Sequence, residues 1–179
     1  MGIPTLISTN TATGDSSLNI TAGIDGTYDE YMFLMVDMQI SVASQEFQFN
    51  VSSDGGSNYN VTKTTTRFFA HHKEDDSGTP AVVIETVGDQ AQATANHYLT
   101  YSQGAAADES ASGILTLYTP SNTTYAKHFT ARMQVSTYFD QAQEHFSAGY
   151  FNTTSAINAI SFVPASGTLN GVIQMFGIA

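Results

Sequence analysis

The sequence predicts an all-β fold, an antiparallel β-sandwich of the jelly-roll type with about ten strands. Short apolar stretches recur roughly every 10–15 residues, and clusters of Gly, Asn, Asp, Ser and Thr separate them, as in sandwiches and barrels. No long segment has the period of an amphipathic helix. The segment Tyr31–Met38 is apolar at odd and even positions alike, so it predicts a central strand with both faces covered.

The first half of the chain gives the clearest strand signals. Leu18–Ile20 alternates with polar neighbours and predicts a half-buried strand, and Phe47–Val51 has a clear period of two. Ser53–Asn58 predicts a turn, because Asp-Gly and Gly-Gly supply the positive φ angles of tight hairpins. Val61–Ala70 contains three consecutive threonines, which favour extended backbone.

The second half continues the pattern to the end of the chain. Lys73–Pro80 and Gln103–Ser112 predict polar loops, and Thr137–Ser147 is ambiguous because aromatic residues are mixed with Gln and Glu. No linker or change of composition interrupts residues 1–179, so we expect one domain with the last strand integral to its sheet. The remaining strands are expected at Ala81–Val87, His97–Tyr101, Gly113–Tyr118, Lys127–Val135, Gly149–Phe151, Ile157–Val163 and Val172–Ile178.

Composition excludes several classes of function. Five Lys and Arg against sixteen Asp and Glu give a net charge of −11, yet charged residues make up only 12% of the chain. Soluble domains usually carry about 25% charged residues, so this surface is mostly neutral and polar. Nucleic acid is not an expected partner, because phosphate backbones require clustered Lys and Arg. The absence of cysteine excludes disulfides and thiolate metal sites.

The chain also gives no sign of a membrane or targeting role. Met1–Leu6 lacks the basic and apolar regions of a signal peptide and misses the myristoylation pattern. No apolar run approaches the ~20 residues that a membrane helix needs. We therefore expect no membrane partner, and a soluble chain released in the cytoplasm where it is made.

The sequence contains none of the common catalytic motifs, so neither an enzyme nor a cofactor is expected. The chain has no Gly-x-Ser-x-Gly elbow, no His-Glu-x-x-His and no phosphate-binding glycine loop. Only a carboxylate pair across a groove would leave no sequence signature. His71–Asp76 is the densest titratable cluster, but adjacent strand histidines point to opposite faces and chelate one ion poorly. Asp54–Asn58 fits a hairpin turn and lacks the ligand spacing of a calcium loop, so no metal is expected.

Aromatic residues outside the alternating stretches are the candidate contact residues. Tyr59, Tyr125, Tyr138 and Phe139 lie in turn-like or irregular segments and are expected to be exposed. Exposed aromatic side chains contact protein partners or stack on glycans. These four residues are therefore the predicted partner contacts, whereas the aromatic residues at alternating strand positions are expected in the core.

Several segments together resemble a domain of virion proteins from marine tailed bacteriophages. The resemblance spans nearly the whole chain and implies a virion structural protein made in the host cytoplasm, with no catalytic residues to transfer. The segments are Asp25–Tyr31, Ser53–Tyr59 running into Thr62–Thr66, Pro120–Phe129, Ala148–Ile160, and Ser166–Thr168 through Phe176–Ile178.

Two roles follow from this resemblance. In the family, the domain often ends a longer fibre-like protein, whereas this chain starts close to the domain without a stalk. We therefore expect a capsid decoration or cement protein whose partner is the major capsid protein or another virion protein. The alternative is a tail or head fibre adhesin that binds host surface glycans. Because jelly-roll subunits form rings, a homo-oligomer is expected, and a trimer is the expected state.

Overall fold

The computed structural model describes residues 2–179, and they form twelve strands and no helix. The predicted all-β class is confirmed, with two strands more than the roughly ten expected. No helix in this part of the chain is long and apolar enough to cross a membrane. The strands are β1 (Thr5–Asp15), β2 (Leu18–Ile20), β3 (Glu30–Ile40), β4 (Phe47–Ser52), β5 (Lys63–Lys73), β6 (Ala81–Ile84), β7 (His97–Tyr98), β8 (Ala111–Tyr118), β9 (Lys127–Thr137), β10 (Gln141–Phe151), β11 (Ala159–Pro164) and β12 (Leu169–Ile178).

The strands form a large and a small antiparallel sheet that pack face to face. The large sheet has eight strands in the order β1-β12-β3-β8-β9-β10-β5-β6, and the small sheet has four in the order β2-β11-β4-β7. From β2 to β11 the chain alternates between the sheets except at β5 and β6, which are neighbours in the large sheet. This is the winding of a jelly roll if the β8-β9-β10 meander is counted as one strand. β1 and β12 extend the large sheet beside β3.

Aromatic side chains join the two sheets in the core. Phe162 of the small sheet packs against Phe33 of the large sheet, with ring centroids 5.7 Å apart. Phe49 of the small sheet meets Phe129 edge to face at 5.1 Å. Such pairs add roughly 0.5–1.5 kcal/mol beyond the area that they bury. The buried apolar side chains form one cluster that includes both sheets, so the sheets are held together along their length.

The expectation that β3 has both faces covered is wrong. β3 lies between β12 and β8, as a central strand should, and Tyr31, Phe33 and Met35 are fully buried against the small sheet. Its alternate residues face away from the small sheet: Leu34 is only partly buried, and Val36 is exposed. The small sheet covers one face of the large sheet, so the second apolar face of β3 has no cover among the described residues.

The period of two in β4 does not divide buried from exposed residues. All six residues of Phe47–Ser52 are buried, including Gln48 and Asn50. The segment that follows β6 covers the polar side of this strand: the Asn50 amide donates to the carbonyl of Thr94 at 2.9 Å. β4 is therefore buried on its apolar side by the large sheet and on its polar side by a hydrogen-bonded loop.

The ambiguous segment 137–147 is a hairpin turn followed by a strand. Residues 138–140 connect β9 to β10, and Asp140 takes a positive φ of 55° while its N–H donates to the carbonyl of Thr137 at 3.1 Å. Loops of three residues with a left-handed position are a common hairpin connection. The aromatic residues of this segment obscured the turn, because turns are usually recognised by Gly, Pro and Asn.

Candidate docking face on the large sheet

The face of the large sheet that points away from the small sheet, here called the outer face, carries a row of large side chains. Residues directly opposite one another on seven neighbouring strands form this row, and most of them are apolar. Ile84 is 76% exposed, Phe68 43% and Ile114 39%. The row, here called the apolar row, consists of Gln174, Leu34, Ile114, Arg132, Phe146, Phe68 and Ile84, from β12 to β6.

A trough runs beside the apolar row, across the strands. Its floor consists of the small residues Thr66, Ala148, Thr130 and Thr116, which are directly opposed on β5, β10, β9 and β8. Strands lie about 4.8 Å apart, so this floor is roughly 14 Å long. Two adjoining hollows of about 410 Å³ and 400 Å³ share this floor. The trough is thus wide enough for a side chain or a sugar ring to enter.

The other side of the trough is aromatic and polar. Tyr118, His128 and Tyr150 are directly opposed on β8, β9 and β10, and the rings of His128 and Tyr150 have centroids 6.3 Å apart. The Tyr118 hydroxyl shares a hydrogen bond of 3.0 Å with the Thr130 hydroxyl. The amide of Gln92 donates to the Tyr150 hydroxyl at 3.2 Å. This side, here called the aromatic rim, therefore presents rings with hydrogen-bonding groups beside them.

The outer face carries few carboxylates, although the chain has a net charge of −11. The apolar row, the trough floor and the aromatic rim contain one fully charged side chain, that of Arg132. Its guanidinium lies over the Phe146 ring, 5.4 Å from the centroid, and forms an ion pair with Glu144 at the edge of the row. Glu30, directly opposite Tyr118, and Glu144 also lie on this face. Most of the sixteen carboxylates therefore lie on the other surfaces of the chain.

Between the sheets, near β5, lies a second unusual cluster, which is polar and buried. The Arg67 guanidinium lies between the rings of Tyr98 and Tyr101, at 5.7 Å and 5.6 Å from their centroids. Burial lowers the pKa of Arg67, and the negative charges of Glu85 and Asp89 oppose that shift. Tyr98, Tyr101 and both carboxylates belong to the segment after β5, so the buried cation helps to hold that segment against the sandwich.

Two histidines of this interior are held in the neutral form. Burial lowers the pKa of His97 and that of His145 to about 3. His97 lies edge-on to Phe49 and Phe129, with centroids 5.8 Å and 5.4 Å away, and neither of its ring nitrogens has a hydrogen-bond partner among the described residues. His145 shares a hydrogen bond of 2.9 Å with Gln143. Both side chains act as packing groups, with no ligand-binding geometry around them.

The four predicted contact residues do not form one site. Tyr125 is 70% exposed just before β9 begins, whereas Tyr138 and Phe139 are 56% and 49% exposed just after it ends. An eleven-residue strand separates the two groups by roughly 35 Å. Tyr59 lies just before β5, at the same end as Tyr125, and its hydroxyl is buried. None of the four lines the trough.

The sequence alone does not locate the outer face of the large sheet. Its trough depends on the register of four strands, and residues 74–110 separate β5 from the β8-β9-β10 meander. Thr or Ala in a strand is unremarkable by itself. The one available signal was the Tyr31–Met38 run, which is apolar on both faces. A strand that is apolar on both faces predicts that something packs against each face. The sequence does not say whether the group that packs against the second face belongs to the same chain.

The two candidate metal clusters have the local roles expected of loops and turns. The His72 ring lies 3.1 Å from the Asp76 carboxylate at the surface, and His71 is on the other face of β5, 5.9 Å from the Phe69 ring. The Asp54 carboxylate accepts hydrogen bonds from Ser52 and Asn58, which lower its pKa to about 2. Among residues 2–179, no group of three or more His, Asp or Glu side chains is arranged to hold a metal ion.

Comparison with known proteins does not identify the chain. No family model, curated protein or solved structure matches it. Its function must therefore be inferred from its own surfaces, and the outer face of the large sheet is the surface that differs most from the rest.

Proposed function

We propose that this protein is a bacteriophage virion structural protein, a capsid decoration protein that docks on the shell through the outer face of its large sheet. The observation that carries the proposal is the apolar row, which stays partly exposed on a chain whose surface is mostly neutral and polar. Large exposed apolar patches on soluble proteins mark interaction sites.

The geometry of the apolar row suits attachment to a broad protein surface. Phe146 and Phe68 lie side by side on neighbouring strands, and Arg132 lies between Phe146 and Ile114. Because a sheet holds these side chains in place, they lose little conformational freedom on docking. Aromatic anchors of this kind supply most of the affinity in protein interfaces. Repeated attachment across a symmetric shell would raise the effective affinity of each contact further.

The sequence resemblance supports the virion setting. Segments along most of the chain are similar to a domain of virion proteins from marine tailed bacteriophages, and jelly rolls are common in viral capsids. A sandwich whose two sheets share one buried apolar cluster fits a protein that strengthens a particle.

A fibre adhesin that binds host glycans is the second candidate, and the aromatic rim favours it. Tyr118, His128 and Tyr150 offer ring faces for sugars, and Gln92 and the trough-floor hydroxyls offer hydrogen bonds. In this role the trough would bind an oligosaccharide, while the apolar row would form one of its walls.

Copy number in purified virions separates the two roles. Quantitative mass spectrometry against the major capsid protein should give roughly one copy for every one to three capsid subunits if the protein decorates the head. A ratio of a few per cent would overturn the decoration role and favour the fibre. Complete absence of the protein from purified virions would overturn both.

A matched pair of variants tests whether the outer face docks. Ala148→Tyr fills the trough floor, whereas Ala107→Tyr places the same ring on an exposed loop between β7 and β8. On stripped capsids, A148Y should lose binding, and A107Y should bind like the natural protein. Equal binding of both variants would show that shell attachment uses another surface.

A further inference from the structure

The free edge of the large sheet at β1 differs from the other three sheet edges. The edge strands β2, β6 and β7 have three, four and two residues, whereas β1 has eleven. Proteins usually protect long edges with Lys, Pro or inward charges, because an open edge pairs with other chains. β1 contains no Lys, Arg or Pro, and its one charged residue, Asp15, is the last in the strand.

The central part of β1 is regular enough to act as a pairing template. Its pairing with β12 is irregular between Leu6 and Ser8 and again between Thr13 and Asp15. From Ser8 to Thr13 the register is continuous, so main-chain N–H and C=O groups point to the free side at regular intervals. Thr9 and Thr11 lie on the exposed, outer side of this segment.

We propose that a second copy of this chain pairs antiparallel with β1, so that two large sheets join into one continuous sheet. Because β1 carries no charged residue before Asp15, a second copy can pair with it without placing like charges opposite one another. Two chains of −11 repel each other across most surfaces. Pairing centred at Asn10 or Thr11 places only uncharged residues of Ser8–Thr13 opposite one another, and it keeps the two Asp15 side chains about 25 Å or more apart.

The symmetry of this pair has a consequence for docking, and that consequence rests on the proposed function. Antiparallel strands are related by a two-fold axis perpendicular to the sheet, so both outer faces point to the same side. Thr9 is directly opposite Gln174, the end of the apolar row, so the rows of the two copies approach each other across the junction. The pair would therefore present a doubled docking face.

Complementary charges on the edge provide the test. One variant carries Thr9→Lys and Thr11→Lys, and a second carries Thr9→Glu and Thr11→Glu. Like charges opposite one another weaken strand pairing, and unlike charges strengthen it. Sedimentation velocity should give a concentration-dependent dimer for the natural chain, monomers for each variant alone, and dimers again for their equimolar mixture.

Each other outcome overturns the pairing. A natural chain that stays monomeric at high concentration, variants that dimerise like the natural chain, or a mixture that stays monomeric would each exclude the β1 edge as the interface. Circular dichroism and thermal melting test whether each variant is folded. Both threonines are exposed, so we expect the variants to fold like the natural chain. The measurement uses purified protein without capsids, so its failure is distinguishable from failure of the docking proposal.

Discussion

Phe68 of β5 and Phe146 of β10 are directly opposite on the outer face, and their rings stack with centroids 5.0 Å apart and planes inclined by 11°. Phe68 is 43% exposed, so the pair buries less area than a core pair would. The Arg132 guanidinium covers the other side of the Phe146 ring. Stacking thus holds two large apolar side chains in place at the surface, which favours a role in contact with a partner.

Replacement of Phe68 should separate binding from folding. Thr keeps the strand preference of this position, so Phe68→Thr should lower the free energy of unfolding by only about 1 kcal/mol, the value of an aromatic pair. Binding to stripped capsids should fall at least about tenfold, since the anchor is lost. Urea denaturation and co-sedimentation measure the two effects. Unchanged binding with the expected small loss of stability would exclude Phe68 from the docking surface.

Acid should destabilise the protein through its two buried histidines. The pKa of His97 and that of His145 are about 3 in the folded chain, well below the ordinary value near 6.5. Between these values the unfolded chain binds more protons, so stability is complete above about pH 6.5 and is lost as the pH falls. Each histidine should cost about 1.4 kcal/mol per pH unit well below its unfolded pKa. Urea denaturation from pH 7 to pH 4 measures the loss.

Single-histidine variants assign this acid sensitivity. His145→Gln removes one titrating group and keeps a side chain able to hydrogen bond Gln143, so its stability should depend less steeply on pH. His72 is exposed on β5, so His72→Gln is the matched control for the replacement of an exposed histidine. Equal slopes for the natural chain and H145Q would contradict the assignment. Asp54 loses its hydrogen-bonded charge only at still lower pH, because its pKa is about 2.

The buried Lys63 should be replaceable at a gain in stability. Its ammonium is fully buried and donates to the Asn50 side-chain oxygen at 2.9 Å, and burial lowers the pKa of Lys63 to about 8. Asn50 keeps a second donor, the Val51 N–H, at 2.9 Å. Lys63→Met should therefore raise the free energy of unfolding by about 1–3 kcal/mol at pH 7, since no charge is buried and Asn50 keeps a donor. The Val61 carbonyl loses only a long contact of 3.4 Å from the Lys63 ammonium.

A truncation at the same site provides the comparison. Lys63→Ala also removes the charge, but it leaves a cavity beside Val61 and Asn50, so it should be less stable than K63M by about 2 kcal/mol or more. Urea denaturation of both variants at pH 7 measures their free energies of unfolding. A Met variant less stable than the natural chain would mean that the Lys63–Asn50 contact contributes more than the burial of its charge costs.

Strand positions could be predicted because turn chemistry and alternation are local properties. The Asp-Gly-Gly turn after β4 and the alternation of β9 are both visible within a few residues. β1 was missed because its sequence is mostly Thr, Ser and Asn, with little apolar contrast between its two faces. Its strand conformation depends on pairing with β12, which is more than 150 residues away.

The polar interior and the outer face could not be predicted, because both depend on distant segments. Lys63 and Arg67 have the charge of surface residues, and they are buried because the segment after β6 folds over them. Leu34 has the character of a core residue, and it faces outward because the small sheet covers only one side of β3. In both cases the type of side chain did not predict its burial, because burial depends on which segment packs over that side of the strand.

Removal of β12 should abolish folding, because this strand lies between β1 and β3 and is the one ladder partner of β1 in the described chain. Deletion of residues 172–179 removes Ile173 and Met175, which are fully buried. Each should cost about 2–5 kcal/mol, and together they approach the total stability of an ordinary domain, about 5–15 kcal/mol. The deletion also exposes the edges of β3 and β1, so we expect insoluble protein.

Removal of residues 2–4, which precede β1 and include the exposed Ile3, is the matched control and should leave a soluble chain that melts cooperatively. A soluble, cooperatively melting chain after deletion of residues 172–179 would refute the integral role of β12.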